Sequence, residues 1–120
     1  MHELSIAYNI VQIADDAARD AGVDHVDAVH LRLGQLSGVV SEALWFGYDI
    51  AARGTRLEGS RLEIEDVPAV IFCSQCRTER ALESIQQFCC PVCGTPSMDI
   101  RSGRELEIAY VEYSDEPAHP

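Results

Sequence analysis

Two Cys-x-x-Cys pairs, Cys73-Ser-Gln-Cys76 and Cys90-Pro-Val-Cys93, stand 13 residues apart in a chain of 120. The spacing is close to that at which two tight knuckles bring four thiolates to one tetrahedral ion, so it ties distant parts of the segment to a single point. Two residues between the thiolates let each knuckle wrap the ion and aim backbone N–H groups at sulfur, and Gly94 suits the left-handed turn after the last ligand. Cys89 is the fifth cysteine. Only Cys90 keeps two residues before Cys93, so Cys90 is the expected ligand and Cys89 a free thiol. A redox dithiol needs only one such pair, and a rubredoxin-like iron site uses the same Cys-Pro-x-Cys-Gly knuckle; zinc is the expected ion. Four protein sulfurs leave no open position, so this Zn2+ would stabilise the fold and not catalyse.

Paired knuckles also read as metal ligation in a reducing compartment, which makes a cytoplasmic location the expectation. There are 20 acidic residues against nine basic ones, all arginine. Such a surface repels phosphate backbones, so nucleic acid is not an expected partner. Without lysine there is neither a Walker phosphate loop nor a Schiff-base amine. With no paired carboxylates or nucleophile elbow in view either, a non-enzymatic protein is expected. No apolar run reaches the roughly 20 residues of a membrane helix, and Met-His-Glu-Leu lacks the basic start and apolar core of a signal segment. No membrane is therefore expected as a partner.

Hydrophobic periodicity predicts an amphipathic helix over residues 4–21, closed by Gly22. A strand follows from Val26 to Leu33 with Val29, Leu31 and Leu33 on one face. The run Gly34-Gln35-Leu36-Ser37-Gly38 turns the chain. A second helix, capped by Ser41 with Glu42 in its first turn, directs Leu44, Phe46, Gly47, Ile50 and Ala51 to the core and stops at Gly54. Strands are expected at Arg61–Val67, ended by Pro68, and at Arg104–Val111 with Leu106, Ile108 and Tyr110 on one face. The class is thus α+β: a small mixed three-stranded sheet with two helices, carrying an inserted zinc-ribbon-like four-cysteine module. The expected division is residues 1–69 and 101–113 as one α/β domain, 70–100 as the zinc-binding domain, and 114–120 as a disordered tail.

Met1-His2-Glu3 offers a terminal amine, an amide nitrogen, an imidazole and a carboxylate in succession. The three nitrogens form chelate rings in one plane, and square-planar nitrogen and oxygen donors suit Ni(II) or Cu(II) where an all-thiolate pocket suits zinc. Read as ordinary residues, His2 is solvated and Glu3 complements the helix dipole. His25, His30 and His119 are expected to be structural or solvated.

The opening Met-His-Glu-Leu-Ser, the Leu33-Gly34-Gln35-Leu36-Ser37-Gly38 turn, the early helix and the Cys73-x-x-Cys76…Cys90-Pro-x-Cys93-Gly module, in this order, resemble the HypA/HybF family of nickel metallochaperones for NiFe-hydrogenase maturation. The resemblance implies that Met1, His2 and Glu3 bind Ni2+ as cargo, with His2 the critical ligand, and that the zinc module is structural. It implies docking to a nickel-handling maturation GTPase and to the NiFe-hydrogenase large subunit, with urease as a second recipient, and a monomer or weak homodimer. Val39-Val40 stands where some members carry a carboxylate before the second helix. Outside the family, the alternative is a zinc-ribbon module that binds protein or nucleic acid.

Overall fold

A computed structural model describes residues 3–113; Met1, His2 and the tail 114–120 lie outside the described residues. In chain order the elements are α1 (Glu3–Asp20), β1 (Ala28–Gly34), α2 (Ser41–Ala52), β2 (Arg61–Val67), β3 (Val70–Cys73), β4 (Thr78–Ala81), β5 (Ile100–Ser102) and β6 (Leu106–Glu112). The strands form two three-stranded sheets, β2-β1-β6 and β4-β3-β5. At one end of β1 the Arg61 N–H bonds the Asp27 carbonyl and at the other the Gln35 N–H bonds that of Val67, so β2 runs parallel to β1. Asp27 bonds Glu112 and Gly34 bonds Glu105, so β6 is antiparallel. The first sheet is therefore mixed, and β1-α2-β2 is a crossover unit. The fold is α+β, with a four-cysteine module inserted between β2 and β6.

The chain divides into two compact units. The described residues of the first run up to Leu31, from Val39 to Ile64 and from Ile108 onward; the second holds Arg32–Gly38 and Glu65–Glu107. In the first unit the apolar stripe of α1, Ala7, Ile10, Val11, Ala14 and Ala18, is buried against Leu44, Tyr48 and Ala51 of α2 and Val29 and Leu31 of β1. Small residues let the two helices approach: a Cβ on Gly47 would stand 3.3 Å from the Leu4 Cα and 3.4 Å from the Ala7 Cβ. Asp15 of α1 takes the backbone N–H of Arg56 at 3.0 Å and its guanidinium at 3.2 Å, fixing α1 to the loop after α2.

Three details differ from the sequence expectation. On α2, Tyr48 is buried and Phe46 is exposed, because the 3.6-residue period set by Leu44 passes through Gly47, Tyr48 and Ala51. The α2 N-cap is Val40 and has no side-chain cap, so Ser41 is already inside the helix. On the edge strand β6, Leu106 and Tyr110 are exposed while Ile108 and Val111 touch the core; Tyr110 instead stacks on His30, with ring centroids 4.0 Å apart.

In the second unit the Gly34–Gly38 turn carries a specific load. Pro68 has no N–H, and Gln35 bonds on both sides of it: its N–H to the Val67 carbonyl at 3.0 Å and its Oε1 from the Ala69 N–H at 2.9 Å. Gly34 lies so close to Gly103 that an added Cβ would fall 2.0 Å from its carbonyl oxygen. β3 then pairs antiparallel with β4 on one side and β5 on the other, which places Cys73 at the end of a central strand.

Candidate metal centre

The first knuckle grows directly out of β3. After Cys73 the chain reverses through Ser74 and Gln75, and the Arg77 N–H returns to the Cys73 carbonyl at 2.8 Å, with Arg77 at φ 54°. The second knuckle repeats this construction: the Gly94 N–H bonds the Cys90 carbonyl at 2.8 Å with Gly94 at φ 78°. Both turns need a left-handed residue straight after the second cysteine, which glycine adopts freely and arginine adopts at a cost. Backbone bonds from Cys90 to Thr95 and from Ser97 to Phe88 close the second knuckle, and the Ser97 hydroxyl fastens it to the Phe72 carbonyl of β3 at 2.7 Å.

These turns bring the sulfurs of Cys73, Cys76, Cys90 and Cys93 within 4.8 Å of one another. Cys73 and Cys93 are 3.5 Å apart, and Cys76 and Cys90 are 3.9 Å apart. A tetrahedron with Zn–S bonds of about 2.3 Å has edges of about 3.8 Å, so the donor set and its size fit one zinc ion. Cys89 is half-buried outside this group, on an isolated bridge to Pro96. No further group of three or more ligating side chains converges among the described residues.

Electrostatics in the cluster oppose one another in a way a cation would resolve. Backbone N–H groups of Cys93 and Val92 hold the Cys90 thiol down at about 6. The hydroxyl and N–H of Thr95 lower that of Cys93, with the hydroxyl 3.1 Å from its sulfur. At Cys76 the Arg80 guanidinium pulls downward, but the bond with Cys93, burial and the other two sulfurs outweigh it and push the thiol up to about 11. Four thiolates at this separation would repel each other, which is why Cys76 keeps its proton in the absence of a cation, and a divalent ion would turn that repulsion into attraction. Arg80 is the participant that reading the sequence missed. It counted there only among the nine arginines, because β4 is too short and polar to announce itself as a strand.

Of the three residues expected to hold nickel, Met1 and His2 lie outside the described residues. Glu3 opens α1, and its carboxylate accepts the Val40 N–H at 3.2 Å, at the start of α2. The half-buried His30 is bonded to Glu112 at 2.7 Å, and the exposed His25 lies 3.6 Å from Asp27; neither joins a ligand group.

The chain matches, over residues 1–113, the family described as hydrogenase/urease nickel incorporation, metallochaperone, hypA. It is 55% identical over 116 residues to the hydrogenase maturation factor HypA of Roseiflexus sp. strain RS-1, covering 97% of this chain and 94% of the relative. Against that of Chloroflexus aurantiacus J-10-fl the identity is 55% over 112 residues, covering 93% and 98%. Among solved structures, the Ni metallochaperone HypA from Helicobacter pylori superposes with a TM-score of 0.64 at 17% identity, over 93% of this chain and 97% of that one. A second HypA solution structure gives 0.71 at 17% identity, over 97% and 98%. At such identity these two structures speak for the fold.

Proposed function

The chain belongs to the HypA family, and from that premise we propose that it is a nickel metallochaperone that binds Ni(II) at Met1, His2 and Glu3 and delivers it for NiFe-hydrogenase maturation, with urease as a second recipient. The observation that carries this reading is the family match across residues 1–113. The chemistry of the opening residues supports it: amine, amide and imidazole nitrogens make a planar donor set for Ni(II), and donors of this kind can be exchanged for a recipient's ligands. The Glu3 carboxylate has two oxygens, so it can keep the Val40 N–H on Oε2 and turn the other to the cation.

In this reading residues 1–69 and 101–113 form the nickel-binding domain and residues 70–100 the zinc-binding domain. Cys73, Cys76, Cys90 and Cys93 hold the zinc, whose closed sulfur shell supplies structure and leaves no position for substrate. The protein is then a cytoplasmic carrier that hands its metal on, with a maturation GTPase and the hydrogenase large subunit as its partners.

Nickel titration followed by calorimetry tests the proposal on the native chain, on His2→Ala and on a version with residues added before Met1. Both alterations are expected to weaken nickel binding at least tenfold while leaving the four-cysteine centre loaded. Unchanged affinity in both would remove the N-terminal site.

A further inference from the structure

The first sheet is ordered β2-β1-β6, so each outer strand turns one row of N–H and C=O groups away from β1. On β2 the chain answers part of that row. The Arg61 N–H goes to the Asp27 carbonyl, so the Leu62 carbonyl one residue on points outward, where it accepts the Trp45 indole N–H at 2.8 Å. On β6 the Glu112 carbonyl takes the Asp27 N–H, so the N–H of Val111 points outward, and no strand lies beyond it among the described residues. Ala109, Tyr110 and Tyr113 are exposed along this stretch.

A cavity of about 650 Å³ adjoins the end of β6, and His25, Asp27, Arg61, Val111, Glu112 and Tyr113 line it. Its arginine is engaged by Glu63 at 3.1 Å and Glu112 at 3.6 Å, so the carboxylates of Asp27, Glu63 and Glu112 outnumber it. From Glu105 to Glu116 the sequence holds five acidic residues and no basic one, in a chain of formal charge −11. We propose that the outer edge of β6 docks an extended, basic segment of a partner protein, which adds as a further strand and sets an arginine or lysine against Asp27 and Glu112. Backbone hydrogen bonds along an added strand supply affinity whatever its side chains are, and alternate side chains supply selectivity. A second copy of this chain is the poorer occupant, because it brings the same acidic strand and a further charge of −11.

The full metal-loaded chain is titrated with a peptide of about eight residues alternating arginine with valine, while amide exchange is followed by NMR. Two control peptides replace the arginines by glutamate or methylate alternate backbone nitrogens, which blocks pairing. The arginine peptide is expected to bind with a Kd below about 1 mM and to protect the Val111 N–H at least tenfold, with both controls about tenfold weaker. Proline is tolerated on an edge where its nitrogen faces outward, so Val111→Pro removes one donor and weakens binding about tenfold. Asp27→Asn weakens it about threefold. Should Val111→Pro fail to fold, the methylated peptide and Asp27→Asn carry the test. Absence of binding at about 1 mM, binding that leaves Val111 exchange unchanged, or binding that survives methylation overturns the docking edge. Equal affinity for the glutamate peptide overturns the basic occupant. Val111 protection present before any peptide, and lost on dilution or on ending the chain at Tyr113, would assign the edge to a second copy or to the tail and overturn the proposal.

Discussion

Single residues in the metal module show where the backbone, and not the side chain, is the constraint. Arg77 and Gly94 hold equivalent places in the two knuckles, at φ 54° and 78°, and each returns its N–H to the first cysteine's carbonyl at 2.8 Å. A Cβ in this region costs about 1–2 kcal/mol, partly offset because glycine has more freedom to lose on folding. Arg77→Gly is therefore expected to raise stability by about 0.5–1 kcal/mol and Gly94→Ala to lower it by about 1 kcal/mol, read from urea unfolding of the metal-loaded chain. A destabilised Arg77→Gly would mean that the arginine side chain matters more than its backbone. Gly94 was legible beforehand because glycine advertises the left-handed turn. Arg77 was not, since nothing in an arginine signals φ, and the place of Arg80 opposite Ile71 stayed hidden because it depends on a strand register that only pairing reveals.

At the scale of elements, legibility followed the strength of the periodic signal. Helix α1, expected over 4–21, is Glu3–Asp20, and β2 is Arg61–Val67, because each presents one apolar face to a core over several turns or pleats. Strands β3, β4 and β5 have three or four residues each, too few to show a period, and are held by their partners. The α2 cap was misread for a related reason. Ser41 looks like a cap locally, yet the N-cap residue is Val40 and its N–H is taken by Glu3, far away in sequence. The Gly34–Gly38 turn shows how a motif without periodicity still has a physical job, since Gln35 supplies both hydrogen bonds that Pro68 interrupts. Gln35→Ala leaves the buried Ala69 N–H without its acceptor and is expected to cost about 1–3 kcal/mol. Gly34→Ala drives a methyl to 2.0 Å from the Gly103 carbonyl and is expected to cost more, about 3 kcal/mol. Thermal melts of the metal-loaded variants check both, and a native melting temperature for Gly34→Ala would contradict the close approach.

Over the whole molecule, the two units draw on different sources of stability. The first buries two helices' apolar faces against strands, with Leu44, Tyr48, Leu57, Val29 and Leu31 fully enclosed. The second has few buried apolar side chains, Leu33, Val67, Ala69 and Ile71, and besides Gly34 and Gly103 the other buried residues described in it are Cys73 and Cys90 themselves. A core that small supplies little on its own, whereas a structural zinc site contributes on the order of 10 kcal/mol. Stripping the metal should therefore loosen the second unit first. In the metal-free cluster at neutral pH Cys90, held at about 6, is ionised, while Cys76, raised to about 11, keeps its proton. Metal uptake at pH 7 therefore releases the Cys76 proton, so the apparent metal affinity is expected to rise with pH. Hydrogen exchange before and after chelation tests the asymmetry. Amides of β3 and β4 and the knuckle N–H groups of Arg77 and Gly94 are expected to lose protection by at least tenfold, while those of α1 and α2 keep theirs. Equal loss in both units would show that the metal stabilises the chain as one cooperative body, and no loss in either would show that backbone pairing alone holds the module.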